Sequence, residues 1–251
     1  MVKKWNVIIP KLSGDKSRRA YVYLPGSYAK DPEKRYPVMY IFDGHNVFFD
    51  EDATFGKSWN MNNYMVESKK ELIIVGIECN HEGNRRLVEY SPLNYQNSEH
   101  GKIKGKGSIM MNWIINTLKP YIDREYRTLT DRKNTIIAGS SMGGLIALYG
   151  IGAYNHVFRQ AACLSPSLWV APAKLLAMVA KTSYAPDTAI FLSYGQQEMK
   201  NHSANHWIIS AVAGELYVKG VNLTLRIVRD GYHCEAAWEK EVPIFMDSLE
   251  L

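Results

Sequence analysis

The stretch Ile136–Gly150, "IIAGSSMGGLIALYG", decides how the rest of the chain reads. Its β-branched run stops at Gly139, two serines follow, and Met142 with two glycines leads into an apolar segment of helical character. Gly139-Ser140-Ser141-Met142-Gly143 fits G-x-S-x-G between a predicted strand and a predicted helix. In that context the pattern forms a sharp turn that lifts a serine above a sheet, and Ser141 is the candidate nucleophile. A serine held there needs a strained, positive-φ backbone, so side chains at positions 139 and 143 would collide with it. Gly144 lets the helix pack close to the strand. The start of that helix also aims unpaired N–H groups and partial positive charge beside Oγ, which suits a developing oxyanion.

Working outward, short β-branched runs recur at Trp5–Pro10, Arg19–Pro25, Pro37–Asp43, Leu72–Glu78, Asn134–Gly139, Ala161–Pro166, Ala189–Gly195 and Leu223–Asp230. From the third onward they are almost continuously apolar, as strands covered on both faces are. Helical periodicity fills the gaps. Gly107–Tyr126 sets Ile109, Trp113, Ile114, Leu118 and Ile122 on one face, with Pro120 expected to kink it or confine it to two pieces. Ser141–Ala153, roughly Asn201–Lys219, and Glu235–Leu249 with Pro243 inside it complete the set. This alternation predicts one α/β domain over residues 1–251, with a mainly parallel, doubly wound sheet of eight strands and the first two as an antiparallel lead-in. Residues 79–106 break the rhythm: they are polar and far longer than an ordinary connection, as functional loops are.

Composition narrows the partners. The 251 residues, 46% hydrophobic, can bury a full core. The 30 basic and 25 acidic residues leave a formal charge of +5 without like-charge runs, which argues against a nucleic-acid partner while leaving room to steer an anionic substrate. The apolar run near the N-terminus is too short for a secretory leader, and no segment approaches the ~18 apolar residues of a membrane span, so no membrane partner and a cytoplasmic location are expected. Three cysteines without CxxC spacing suggest neither a disulfide framework nor a cysteine zinc site.

A nucleophilic serine needs a base. His233, in "RDGYHCEAAWEK", follows the last predicted strand and precedes the C-terminal helix, completing the chain order Ser, acid, His. The acid should follow the penultimate strand, where "FLSYGQQEMKNH" offers Glu198; Asp230, just before the histidine loop, is the rival. Glu198, His202 and His206 also share an i, i+4, i+8 spacing, but this is not HExxH and no base lies beside it, so no metal site is expected. A second oxyanion donor should come from the loop after the third strand, where Gly44 allows close backbone approach and the His45 N–H would work with that of Met142. Asn46 either braces that loop or is a turn residue.

With these residues in place, the chain resembles the "Putative esterase" family of α/β-hydrolases, whose members include enterochelin esterase-like, feruloyl and acetyl-xylan esterases and mycolyltransferases. The resemblance runs from about Arg19 to the C-terminus and is carried by "YIFDGHNVFF", "FGKSWNMN", "NRRLVEYSP", "LKPYIDREYRTLTDRKNTIIAGSSMGGLIALY", "LSPSLW", "YGQQE" and "DGYHCEAAW". It implies an α/β-hydrolase fold, a Ser141–His233–Glu198 triad, and an oxyanion hole from the backbone N–H groups of His45 and Met142. Several relatives have Asp where this chain has Glu198. It further implies that "NRRLVEYSP" and "SPSLW" border the cleft, making Arg85, Arg86, Glu89, Tyr90 and Trp169 substrate-side residues. The activity implied is cofactor-free hydrolysis of a small acyl, aromatic-acyl or carbohydrate ester through an acyl-enzyme. A siderophore ester, or transfer of the acyl group to an alcohol by the same residues, is the alternative. The oligomeric state is left open, a homodimer being one option.

Overall fold

A computed structural model describes residues 1–199 and 205–251. Its strands are β1 (Val2–Ile8), β2 (Ser17–Tyr23), β3 (Val38–Phe42), β4 (Ile73–Ile77), β5 (Tyr95–Asn97), β6 (Gly101–Ile103), β7 (Thr135–Ser140), β8 (Gln160–Leu164), β9 (Ala189–Gly195) and β10 (Asn222–Val228). Eight of them form one sheet in the order β1-β2-β4-β3-β7-β8-β9-β10. The pairs β1/β2 and β2/β4 are antiparallel, and every other neighbouring pair is parallel. The expected parallel body with an antiparallel lead-in is therefore what forms. The first strand starts at Val2, earlier than its sequence suggests, and ends at Ile8, because Pro10, lacking an N–H, opens a short helical turn at Pro10–Ser13.

All residues of β3, β4, β7 and β8 are buried, which is why these runs are apolar without alternation. Successive side chains still part to opposite faces. Val38, Tyr40 and Phe42 join one core with Met110, Ile114, Leu145 and Leu175, whereas Met39 and Ile41 join a second with Met61, Trp238 and Phe245. The first core is covered by the helices Gly107–Trp113, Met142–Ala153, Pro172–Lys181 and Asn205–Val218, the second by Met61–Ser68 and Glu235–Ser248. Strand β10 lies at the sheet edge and leaves Leu225 and Ile227 exposed.

Two segments depart from expectation. Before Pro120 the helical hydrogen bonding changes type: α-helix Gly107–Trp113 passes through a π-helical stretch, Ile114–Leu118, into a second α-helical piece, Lys119–Glu125. The wider turn accommodates the proline ring and the missing N–H. The buried face consequently carries Met110, Met111, Ile114, Leu118 and Ile122, while Ile109 and Trp113 are half-buried. Residues 79–106 are not an open loop. They contain helix Arg85–Tyr90 and the hairpin β5/β6, anchored by the buried Arg18–Glu89 pair at 2.8 Å. A six-residue helix is too short to show periodicity, which hid it in the sequence. Among the described residues no helix is long and apolar enough to cross a membrane.

Candidate functional site

Strand β3 lies between β4 and β7, so the chain's winding reverses there and a crevice opens at the carboxyl ends of β3 and β7, where α/β ligand sites gather. Ser141 leaves β7 into that crevice with φ 57° and ψ −123°. Its N–H donates to the Leu164 carbonyl at 2.9 Å, and its own carbonyl accepts from the N–H groups of Leu145 and Ser167, both at 3.0 Å. The strained turn closes only around glycine. A Cβ on Gly139 would stand 2.5 Å from the Gly143 carbonyl carbon, and one on Gly143 would meet the Asp43 carboxylate at 3.1 Å.

The loop after β10 brings His233 to this turn, with Nε2 2.9 Å from Ser141 Oγ. The imidazole stands edge-on to Trp238, with centroids 5.1 Å apart. Its Nδ1 is hydrogen-bonded to Glu198 Oε2, on the helical turn Gln196–Met199 that follows β9. A carboxylate at Nδ1 places the ring proton there and leaves Nε2 as an acceptor facing Oγ. The other oxygen of the buried Glu198 accepts from Ser165 Oγ at 2.7 Å and from the Gly195 N–H. Ser165, itself at φ 44°, accepts from Trp238 Nε1 at 2.9 Å. Sequence reasoning missed this support for the acid; "LSPSLW" after β8 was its only trace. Asp230 is exposed in the turn, and His233 Nδ1 takes Glu198 in its place.

On the other side, Asp43 adopts the left-handed region (φ 55°, ψ 45°) and starts the 3₁₀ turn Gly44–Asn46. Gly44 is pressed onto β4 so closely that a Cβ would lie 2.6 Å from the Gly76 carbonyl carbon. The N–H groups of His45 and Met142 each fall in the first turn of a helical segment, where no intrahelical partner exists. Asn46 braces the loop: its Nδ2 donates to Glu235 at 3.1 Å and its Oδ1 accepts the Thr54 N–H at 2.9 Å. Burial raises the Glu235 pKa.

Arg86 reaches the cleft wall, and one edge of its guanidinium is taken by Asp43. Nε and Nη2 donate to Asp43 Oδ1 and Oδ2 at 2.9 and 2.7 Å. Burial works against ionising Asp43, yet the charge and hydrogen bonds of Arg86 hold its pKa below the ordinary value. Tyr90 is fully buried under Arg86, accepting the Asp43 N–H at 3.3 Å, so it props the loop and does not face the cleft. Glu89 pairs with Arg18, Arg85 is exposed away from the cleft lining, and Trp169 packs edge-on against Tyr95 of the hairpin. Tyr90, Glu89 and Trp169 are therefore drawn off by packing and pairing, and Arg85 lies outside the cleft lining. His202 and the His206 side chain lie outside the described residues, and the metal-ligand spacing is not placed.

This geometry changes what Arg86 is expected to do. Arg86→Ala should leave the Asp43 carboxylate buried without its partner and cost about 3 kcal/mol of stability. It should lower kcat/KM by a similar factor for p-nitrophenyl acetate and for an anionic ester. Denaturant melts run beside both assays check this; a loss confined to the anionic ester at unchanged stability would assign Arg86 to substrate.

The cleft encloses about 290 Å³, bounded by Asn46, Thr54, Phe55, Ser141, His233 and Trp238 among others. Comparison with known proteins gives it a context. The family described as Esterase, "Putative esterase", matches residues 13–241. The uncharacterized protein YbbA of Bacillus subtilis (strain 168) is 28% identical over 188 residues, 72% of this chain and 69% of that one. Iron(III) salmochelin esterase of Escherichia coli O6:H1 is 36% identical over 94 residues, 36% of this chain and 23% of that one. The crystal structure of the enterobactin esterase FES from Shigella flexneri in the presence of enterobactin shares the fold, with a TM-score of 0.74 at 19% identity over 99% of this chain and 60% of that one. This chain thus spans less than two thirds of either named esterase. The family match extends over nearly the whole chain, and it encloses the G-x-S-x-G turn, the loop after β3 and the histidine loop alike: the chain belongs to the "Putative esterase" family of α/β-hydrolases and is a serine ester hydrolase.

Proposed function

We propose that Ser141, His233 and Glu198 form the triad of a carboxylic-ester hydrolase. The observation that carries this reading is the single hydrogen-bonded line from Oγ through the imidazole to a buried carboxylate. His233 Nε2 takes the proton from Ser141 Oγ as the alkoxide attacks the ester carbonyl. The tetrahedral oxyanion rests on the N–H groups of His45 and Met142. Glu198 keeps the proton on Nδ1 and stabilises the imidazolium that forms. The alcohol leaves with the proton from Nε2, and water, activated by the same nitrogen, releases the acid from the acyl-enzyme.

A cleft of about 290 Å³ sits at the small end of ligand pockets, so one small acyl, aromatic-acyl or sugar unit fills it and any larger alcohol extends into solvent. A siderophore ester is the second reading, favoured by the names of the salmochelin and enterobactin esterases. We assign the chain to the cytoplasm, where the free thiols of Cys79, Cys163 and Cys234 stay reduced.

A fluorophosphonate probe is expected to label one site, on the peptide carrying Ser141. Modification of Ser140, or none, would overturn the assignment. Rates on feruloyl, acetyl-sugar, p-nitrophenyl and catecholate esters then separate the substrate classes.

A further inference from the structure

The cleft wall holds three side chains to which ester hydrolysis gives no task. Cys79 Sγ and one ring nitrogen each of His45 and His81 lie within 4.8 Å of one another. The two imidazoles meet edge-to-face with centroids 4.7 Å apart, and His81 Nδ1 is 3.9 Å from Cys79 Sγ. Both rings have their other nitrogen engaged. His45 Nε2 is 3.0 Å from Thr54 Oγ1, and His81 Nε2 is 3.1 Å from Glu78 Oε1. The Glu78 contact at Nε2 leaves Nδ1 turned towards the thiol.

His45 supplies the independent sign. The residue is 2% exposed, and its Nδ1 has no hydrogen-bond partner among the described residues. A buried polar atom without a partner asks for an explanation, and a bound ion is one that the neighbouring donors supply. Two imidazoles whose far nitrogens are hydrogen-bonded to oxygen atoms, with a thiol beside them, are a donor set of the kind borderline-soft metals take.

We propose that Cys79, His45 and His81 bind Zn²⁺ or a similar borderline-soft divalent cation through Sγ and the two Nδ1 atoms, with the fourth tetrahedral position open to the cleft. Bond lengths of ~2.0 Å to nitrogen and ~2.3 Å to sulfur require donors roughly 3.3–3.5 Å apart. The site must therefore contract, and the half-exposed side chain of His81 is the one free to move. On binding, the Cys79 S–H bond breaks, the electron pair stays on sulfur to form the bond to the metal, and the proton passes to solvent. Because a proton leaves, uptake strengthens as pH rises. Asp43 and Glu78 add negative charge around the site, offset by their partners Arg86 and Arg19. The cation ties the loop after β3 to the segment after β4.

The test is titration of the full chain, freed of metal by a chelator, with Co²⁺. A thiolate-to-cobalt charge-transfer band is expected in the near ultraviolet, saturating at one equivalent and displaced by Zn²⁺. Cys79→Ser should abolish it, and His81→Ala should weaken Co²⁺ binding at least tenfold. Circular dichroism reports whether each variant is folded; should Cys79→Ser fail to fold, His81→Ala decides. Absence of the band in the wild type, a band that survives in folded Cys79→Ser, unchanged binding in His81→Ala, or a band abolished by Cys234→Ser would each overturn the proposal.

Discussion

Ser141→Ala is expected to fold like the wild type and to lose at least ~10³-fold of kcat in ester hydrolysis. The substitution removes only Oγ, the atom that attacks the carbonyl. Alanine has the same Cβ as serine, so the strain of φ 57° is unchanged between the two. The Ser141 side chain makes no cap hydrogen bond to the helix Met142–Ala153, and the helix start loses nothing with it. What disappears is the 2.9 Å contact with His233 and a 3.4 Å contact with Ser167 Oγ. The oxyanion donors remain and keep a residual rate above that in water. Measuring kcat on p-nitrophenyl acetate beside the melting temperature checks both halves. A rate within tenfold of wild type would transfer the chemistry to another group, while a large fall in melting temperature would make the loss one of folding.

Glu198→Gln should lower kcat by about 10³–10⁴, whereas Asp230→Asn changes it less than about twofold. The amide is nearly the same size as the carboxylate, so packing against Ser165 and Gly195 survives. Both of those groups donate to the side chain, which fixes the amide oxygen on their side. The amide nitrogen then faces His233 Nδ1 and donates to it, driving the ring proton to Nε2. A protonated Nε2 cannot take the proton of Ser141 Oγ, and the negative charge that stabilised the imidazolium is gone as well. Asp230 is exposed in the turn, where its charge is screened by water. The comparison is made on kcat and melting temperature for both variants; the opposite order would give the acid role to Asp230.

How far the sequence reaches depends on the range of the interaction. The turn at Ser141 was legible because its cause is local: positive φ, glycines at 139 and 143, and a strand passing into a helix lie within a few consecutive residues. The parallel sheet was legible because strands covered on both faces must be apolar throughout, as β3, β4, β7 and β8 are. The order Ser, Glu, His followed from the same elements, since each candidate stands just beyond a strand that ends at one edge.

Arg86 shows where that reach ends. From the sequence it was a cation in a polar stretch, free to hold substrate. Its partner Asp43 lies 43 residues earlier at the end of β3, and only the parallel pairing of β3 with β4 brings the segment after β4 over that end. The same pairing sets His45 beside Cys79 and His81, and the crossing from β8 to β9 sets Ser165 beneath Glu198. A residue's own neighbours in the chain determine its backbone conformation and which face it presents. What its charge or lone pair finally meets was decided by strand order, because that order is set by the joint burial of both sheet faces and leaves no periodic mark on the short segments it joins.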